Sequence, residues 1–335
     1  MSQVQTAPPE TRAPLPVSPD VSVCIANWNC ADLLRHCLQS LFDQSQGVKF
    51  EVVIADNGST DGAAEMVATE FPQVVLIRNT DNRGFATASN QAAAAARGRF
   101  LFFLNNDTLV PANTLKQFLD LAEANPNVGM FGPRLRGADG LFQISYRRRP
   151  TLAALLHRVG LLRWTGLFRK AYYDYRRDTF DPTQVRSVEV LMGAAVFLSR
   201  EVFEACGRWD ENYGFGVEDI DLSTQVNRRG PVMFVAHVEV IHYGRAAGRA
   251  NVHFAVPNVA IGYVHYFRKT GTSPLALFAY KVLVTVDAPL QIGQKLLEAT
   301  WRYASGQRVK ARKSVLVARG LWAFLRHELV RFWKA

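Results

Sequence analysis

Along the first third of the chain, apolar residues gather in short runs, and a polar cluster stops each one. Val21-Ser-Val-Cys-Ile-Ala ends at Asn27-Trp28-Asn29, and Phe50-Glu-Val-Val-Ile-Ala ends at Asp56–Gly62. Val74–Arg78 runs into the loop Asn79–Gly84, and Phe100–Leu104 ends at Asn105-Asn106-Asp107. Short apolar runs bounded by turn formers predict buried strands. Between them the spacing turns helical. Leu33, Leu34, Cys37, Leu38 and Leu41 share one helical face, with Asp32 placed to cap it. Ala63–Glu70 and the alanine-rich Phe85–Arg97 follow the next two strands, and Pro111 opens a further helix. This alternation predicts an α/β fold, a mostly parallel central sheet with helices on both faces. Ligands of such sheets bind beyond the C-terminal strand ends. The clusters at 27–29, 56–61 and 105–107 are therefore expected to line one crevice.

Later in the chain, Gly193 to Asp221 holds three carboxylates, Glu218, Asp219 and Asp221, behind a loop rich in glycine and aromatic residues. Acids there suit a helix N-terminus. The flanking Gly214 and Gly216 and the nearby Trp209, Tyr213 and Phe215 suggest a pocket instead. Val235–Ile241 reads as one more strand, ending at His242.

Composition narrows the class. The 335 residues are 48% hydrophobic, enough for one large α/β domain with an appendage, or for two domains. Cys24, Cys30, Cys37 and Cys206 form no CxxC pair, which excludes a disulfide scaffold or zinc knuckle and fits a reducing cytosol. Residues 1–20 are rich in Pro, Ser and Thr and show no secretion signal, so they read as a disordered leader. Of the net charge of +10, residues from Arg245 onward contribute 15 Lys/Arg against 3 Asp/Glu. The basicity therefore belongs to the tail, which suits an anionic membrane surface or a nucleic acid.

The crevice carries neither GxGxxG nor GxxxxGK[ST], so a dinucleotide fingerprint and a Walker loop are both missing. A diphosphate without a glycine cradle still needs charge neutralisation. Asp107 at a strand end could supply it by holding Mg²⁺ or Mn²⁺, or could be a turn residue. Taken in order, the motifs resemble glycosyltransferase family 2, whose fold is the GT-A type. They are Asn27-Trp28-Asn29, Asp56-Asn-Gly-Ser-Thr-Asp61, Asn82-Arg-Gly-Phe-Ala with Asn90, Asn105-Asn106-Asp107, Gly193-Ala, Trp209-Asp-Glu, Glu218-Asp219-Ile-Asp221 and Val240-Ile-His242. The spacing is most similar to the bacterial rhamnosyltransferase-like branch that builds cell-surface polysaccharides.

The resemblance implies a Rossmann-like nucleotide-sugar domain over 21–245, followed by a basic helical region over 246–335. It implies that Asn27, Trp28, Asp56 and Asn105 bind the donor nucleotide, with Trp28 stacking on the base and Asp56 hydrogen-bonding it. It makes Asp107 the metal-binding acid, with His242 either a further metal ligand or a hydrogen-bonded core residue, and Asp219 the general base supported by Glu218. The family's first metal-motif acid is replaced by Asn105, which is compatible with a deoxyribose donor such as dTDP-rhamnose; a UDP-sugar is the other donor class considered. No Gln-x-x-Arg-Trp motif follows the acid cluster, so one sugar per encounter is expected. The acceptor implied is lipid-linked or a saccharide. The alternative is a catalytically inactive relative serving as a binding or scaffold subunit. A nucleotide-sugar pyrophosphorylase would need an N-terminal Gly-rich phosphate loop that the chain lacks.

Two segments bear on location. Residues 147–177 read as a basic amphipathic insertion, with Leu152, Leu155, Leu156, Val159 and Leu162 on one face. It is either a membrane-surface element or a helix packed on the domain. Leu275–Leu290 is apolar but contains Lys281, Asp287 and Pro289, each mid-span charge costing about 2.5–3.5 kcal/mol, so a spanning helix is not expected. Lys310–Trp333 alternates basic and apolar residues and reads as an amphipathic helix on an anionic leaflet, ahead of nucleic-acid binding. The expected location is cytoplasmic, peripheral on the inner face of the cell membrane.

Overall fold

The computed structural model describes residues 18–45, 47–176, 181–244 and 252–335. The leader expected over 1–20 thus lies, up to residue 17, outside the described residues. In chain order the first elements are β1 (Val21–Asn27), α1 (Ala31–Gln44), β2 (Phe50–Asp56), α2 (Ala63–Glu70), β3 (Val75–Arg78), α3 (Phe85–Ala95) and β4 (Phe100–Leu104). Next come β5 (Thr108–Leu109), α4 (Thr114–Ala124), β6 (Met130–Arg136), β7 (Tyr146–Arg147), α5 (Leu152–Leu156), α6 (Gly160–Thr165) and α7 (Arg169–Arg176). Then follow β8 (Arg186–Ser187), β9 (Val190–Leu191), β10 (Ala195–Ser199), α8 (Arg200–Ala205), α9 (Glu218–Asn227) and β11 (Val232–His242). The chain closes with α10 (Val252–Lys269), α11 (Pro274–Ala304), α12 (Arg308–Ala323), a π-helical turn (Phe324–Glu328) and α13 (Leu329–Lys334). These elements form two compact units.

The first unit comprises Met1–Arg147, Phe180–Glu211 and Glu218–Gly244. Its sheet runs β3-β2-β1-β4-β10-β6-β11-β5, with β8 paired to β11. β3, β2, β1 and β4 are parallel, as the strand–helix alternation requires. β10 is antiparallel to both β4 and β6, and β6 is parallel to β11, so the sheet is mixed. Successive side chains of a strand point to opposite faces. Val21, Val23 and Ile25 therefore pack with Leu34, Leu38 and Leu41 of α1 and Phe118 of α4, while Cys24 faces the alanines of α3. Burying a residue such as Phe102 or Phe118 contributes about 1.5–3 kcal/mol. The strand after α3 starts close to β1: a Cβ on Gly98 would come within 2.5 Å of the Ser22 nitrogen, so only glycine fits. The β1–β2 register sets Asn27 beside Asp56, so two of the polar clusters begin level with one another.

One expected cap is wrong. Asp32 does not cap α1; its exposed carboxylate pairs with Arg35 at 3.3 Å. Asp61, from the loop after β2, accepts the Ala31 N–H at 2.8 Å instead. The cap therefore comes from a residue distant in sequence, and it ties together the two loops that follow β1 and β2.

The second unit comprises Arg148–Thr179, Asn212–Val217 and Arg245–Ala335. The insertion is not one amphipathic helix but the three short helices α5, α6 and α7. The Asp287 carboxylate accepts the N–H groups of Gly160 (2.8 Å) and Leu161 (3.2 Å), which starts a new helix there. Gly166, at φ +73°, then ends it in the left-handed conformation. Leu155 and Val159 are buried, whereas Leu161, Trp164, Leu167 and Phe168 are exposed. α11 runs for 31 residues through Pro289 and is long and apolar enough to cross a membrane by length and composition alone. The expected helix over 310–333 is α12, the π-helical turn and α13.

Candidate active site

Four loops at the strand ends of the first unit meet through a continuous polar network. Asn27 is its hub. Its Nδ2 donates to Asp56 Oδ2 at 2.7 Å and to Ser59 Oγ at 3.2 Å, while its Oδ1 accepts from Asn106 Nδ2 at 2.7 Å. Asp56 also accepts from the Ser59 N–H (2.8 Å) and hydroxyl (2.7 Å). Asn27 and Asp56 are thus buried and fixed, not free side chains at the crevice mouth. Trp28 sits on the same loop and is 37% exposed. Asn29, at φ +48°, accepts the Thr60 N–H at 2.8 Å and so locks the loop.

The loop after β4 brings Asn105 and Asp107 to His242, which ends β11. β5 pairs antiparallel with β11, with Thr108 opposite His242. Asp107 Oδ1 lies 3.3 Å from His242 Nε2, and Asn105 Nδ2 lies 3.5 Å from the same nitrogen. Gln143 holds the far side of the ring. Its Nε2 donates to the His242 carbonyl at 2.8 Å, and its Oε1 is 2.9 Å from His242 Nδ1. A carbonyl can only accept, so the amide orientation is fixed and Oε1 must accept from Nδ1. In the neutral ring the proton therefore sits on Nδ1, and the Nε2 lone pair faces Asp107.

With that tautomer, the Asp107 oxygen and the His242 Nε2 lone pair, 3.3 Å apart, face each other as two donor atoms that one cation could share. Two ligands that are cis on an ion with bonds of about 2.1 Å lie about 3 Å apart. The oxygen and nitrogen donor set fits Mg²⁺ or Mn²⁺. No group of three or more His, Cys, Asp or Glu that could hold a metal ion occurs among the described residues. The remaining ligands would thus come from phosphate oxygens and water, the usual arrangement for such ions.

The acid cluster approaches this centre through the strand β10. The Ala194 carbonyl accepts the Asn105 N–H at 2.9 Å. A Cβ on the adjacent Gly193 would lie 3.3 Å from Asp219 Cβ, so the missing side chain lets α9 come close. Arg147 Nη2 donates to both Asp219 oxygens, at 3.0 and 3.1 Å. Pairing of β7 with β9 presents that arginine, with Arg147 opposite Val190. The two neighbouring acids are not equivalent. Oε2 of Glu218 is shielded and has no hydrogen-bond partner. Burial pushes the Glu218 carboxyl up to about 8; the Asp219 charge adds to the rise, and Arg147 opposes it. Glu218 is therefore a neutral acid at pH 7, beside an Asp219 that is paired with a cation. Val217, immediately before, has φ +82°, a strained conformation for a β-branched residue.

Asn90 pins the Trp209 segment to α3. Its side chain donates to the Trp209 carbonyl and Glu211, both at 2.8 Å, and accepts the Trp209 N–H at 3.2 Å. The buried Trp209 ring meets Phe85 and Phe103 edge-on.

A glycosyl transferase family 2 model matches residues 22–206, more than half of the chain. The chain belongs to glycosyltransferase family 2. It is 30% identical over 207 residues to the N-acetylglucosaminyl-diphospho-decaprenol L-rhamnosyltransferase of Mycobacterium tuberculosis, covering 57% of this chain and 66% of the relative. It is 28% identical over 256 residues to the O-antigen biosynthesis protein RfbC of Myxococcus xanthus, covering 73% of this chain and 19% of that protein. The chain thus spans under two thirds of either relative's length. The fold is of the GT-A type. The mannosyltransferase PcManGT from Pyrobaculum calidifontis, solved with GDP-Man and Mn²⁺, superposes with a TM-score of 0.51 at 20% identity, over 94% of this chain and 91% of that one. GalNAc-T7, solved with UDP, GalNAc and Mn²⁺, gives 0.53 at 18% identity, over 73% and 47%.

The structure thus brings Asn27, Asp56, Asn105, Asp107 and His242 into one network, with Trp28 at its edge. Asp219 is linked to it through Gly193-Ala194. Gln143 and Arg147 went unnoticed in the sequence as site residues. Both lie in segments with no periodicity, and no spacing rule ties either to His242 or Asp219.

Proposed function

We propose that this chain is a metal-dependent, inverting, non-processive glycosyltransferase that moves one sugar from a nucleotide-sugar donor to a lipid-linked or saccharide acceptor. The observation that carries the reading is the meeting of Asp107 and His242 at the strand ends, with a cation-paired Asp219 linked to the same loop through Gly193-Ala194. L-Rhamnose from a dTDP-sugar is the donor we favour. Similarity to the mycobacterial rhamnosyltransferase supports it, as does Asn105 in place of an acid that would contact a ribose hydroxyl.

In this reading Trp28 stacks on the base, and the buried Asn27–Asp56 pair fixes the loop that carries it. Asp107 and His242 would hold Mg²⁺ or Mn²⁺, which would supply charge stabilisation for the departing nucleotide diphosphate. Asp219 accepts the proton of the acceptor hydroxyl as that oxygen bonds to the anomeric carbon. The bond from that carbon to the phosphate oxygen breaks, and its electron pair leaves with the diphosphate. One in-line displacement inverts the configuration. Arg147, donating to both of its oxygens, orients Asp219. Glu218, holding its proton, adds no second negative charge beside the base. The relative named for a decaprenol-linked substrate and the basic tail together support an enzyme working at the cytosolic face of a membrane.

Thermal stability with dTDP, UDP or GDP, each with Mn²⁺ or EDTA, tests the donor site. A nucleotide at 100 times its Kd stabilises by about 2.7 kcal/mol, a readable shift in Tm. A shift with dTDP that EDTA abolishes is the expected result. No shift with any nucleotide in a folded sample would favour the inactive, scaffold reading.

A further inference from the structure

α11 is built inside out for a helix on a water-soluble surface. Its five charged residues, Lys281, Asp287, Lys295, Glu298 and Arg302, are all buried or half-buried. Every exposed residue from Pro274 to Trp301 is uncharged. Phe278, Val282, Val286, Leu290, Leu297 and Trp301 form an exposed stripe at helical spacing, between 36% and 74% accessible. At about 1.5 Å per residue the stripe runs for some 35 Å. The inward charges are satisfied within the second unit. Lys281 Nζ donates to the Trp333 carbonyl at 2.9 Å, Asp287 caps α6, and Glu298 pairs with Lys295 (2.6 Å) and Arg302 (2.5 Å). The charges that argued against a spanning helix in the sequence are thus turned away from the outer face.

We propose that this outer face of α11 lies in the plane of an anionic lipid leaflet. Charge decides the occupant. Over residues 252–335, ten of the thirteen lysines and arginines are exposed, and none of the three acids is. The second unit as a whole carries 23 Lys/Arg against 5 Asp/Glu. A second copy would bring the same cations against these and offer no exposed acid from this region to meet them. An anionic leaflet offers acyl chains for the stripe and phosphates for the cations. The α6 segment that Asp287 caps adds Trp164, 86% exposed, next to exposed Arg163. An exposed tryptophan beside a cation suits the headgroup level. α12 packs along the other side of α11, so the helix lies on the surface instead of crossing it.

This inference deepens the membrane placement in the proposed function, but vesicle binding needs neither nucleotide nor metal. Failure of one therefore leaves the other readable. The test is flotation of the full chain with phosphatidylcholine vesicles containing or lacking phosphatidylglycerol, at low and high salt. The wild type is expected to float with the anionic vesicles. The double variant Leu290→Glu/Leu297→Glu alters only exposed positions. It should bind them about 30-fold more weakly or worse, with unchanged Tm and an unchanged nucleotide-induced shift. Equal flotation of variant and wild type would overturn the proposal, as would absence of wild-type binding. Sedimentation covers the rival: a wild-type dimer that the variant breaks, with neither floating, would make this face an interface between copies.

Discussion

Replacing Gln143 with leucine should detach His242, the metal ligand we propose, from its support while leaving the ring itself in place. Gln143 makes two hydrogen bonds to one residue, to His242 Nδ1 at 2.9 Å and to the His242 carbonyl at 2.8 Å. Leucine keeps most of the volume and loses both bonds. The imidazole can then rotate, and nothing selects the Nδ1-protonated form that leaves Nε2 free toward Asp107. Outer partners of metal-bound histidines are worth about 10–100-fold in metal affinity. At about 1.4 kcal/mol per decade that is about 1.4–2.7 kcal/mol. The structural cost is separable: the orphaned carbonyl should lower global stability by about 1 kcal/mol, read from urea melts without metal. The assay is calorimetric titration of Mn²⁺ into protein saturated with nucleoside diphosphate. It is paired with ¹⁵N chemical shifts of the His242 ring in the metal-free protein. The wild type should show the proton on Nδ1, and Gln143→Leu should show a mixture. Gln143→Glu keeps an acceptor at Nδ1 and should bind Mn²⁺ with intermediate affinity. A proton on Nε2 in the wild type would refute the reasoning. So would Mn²⁺ affinity for Gln143→Leu within about threefold of the wild type.

Asp219→Asn should retain the metal-dependent nucleotide shift and lose about 10²–10⁴-fold in transfer, measured as sugar moved to a saccharide acceptor. Asp107→Ala should lose the part of nucleotide binding that EDTA removes from the wild type, read by the same thermal assay. Glu218 gives a pH signature. Its folded-state carboxyl is raised from 4.5 to about 8, so its contribution to stability is full below about pH 4.5 and is lost as pH rises toward 8. Glu218→Gln should remove that slope and gain stability relative to the wild type as pH increases, measured by urea melts across the window. Asp287→Ala should cost about 1–2 kcal/mol through the lost α6 cap, visible as a lower Tm with donor binding unchanged.

The parallel half of the sheet was readable because β1, β2 and β4 are covered on both faces and so appear as nearly continuous apolar runs, interrupted only by Ser22 and Glu51 before the polar strand ends. The antiparallel half was not. β5, β7, β8 and β9 are two residues long, too short to carry a period, yet β7 and β5 present Arg147 and the Asp107 loop to the site. Asp107 and His242 could each be noted as a polar residue at a strand end. Only the β11–β5 pairing, across more than a hundred residues of chain, makes them neighbours. The α1 cap failed for the same reason in miniature: Asp32 was near in sequence, but the fold supplied Asp61. In the insertion the apolar spacing suggested one helix, but the deciding group was Asp287, far along the chain.

The division of charge explains why the site relies on so few charged groups. With 23 of the 39 lysines and arginines in the second unit, the first is left with 16 against 24 acids. The groups that meet at its strand ends are amides, hydroxyls, carboxylates and one imidazole, with Arg147 already engaged by Asp219. A nucleoside diphosphate entering an acid-rich unit needs compensation at short range, because distant charges are screened within about 8–10 Å at ordinary ionic strength. A divalent ion on Asp107 and His242 would concentrate that compensation where negative charge builds during transfer, and would disappear with chelation. The exposed cations of the second unit then serve the surface role argued for α11. On this view the donor, not the membrane, requires the metal. Chelation should therefore abolish nucleotide binding while leaving vesicle binding intact.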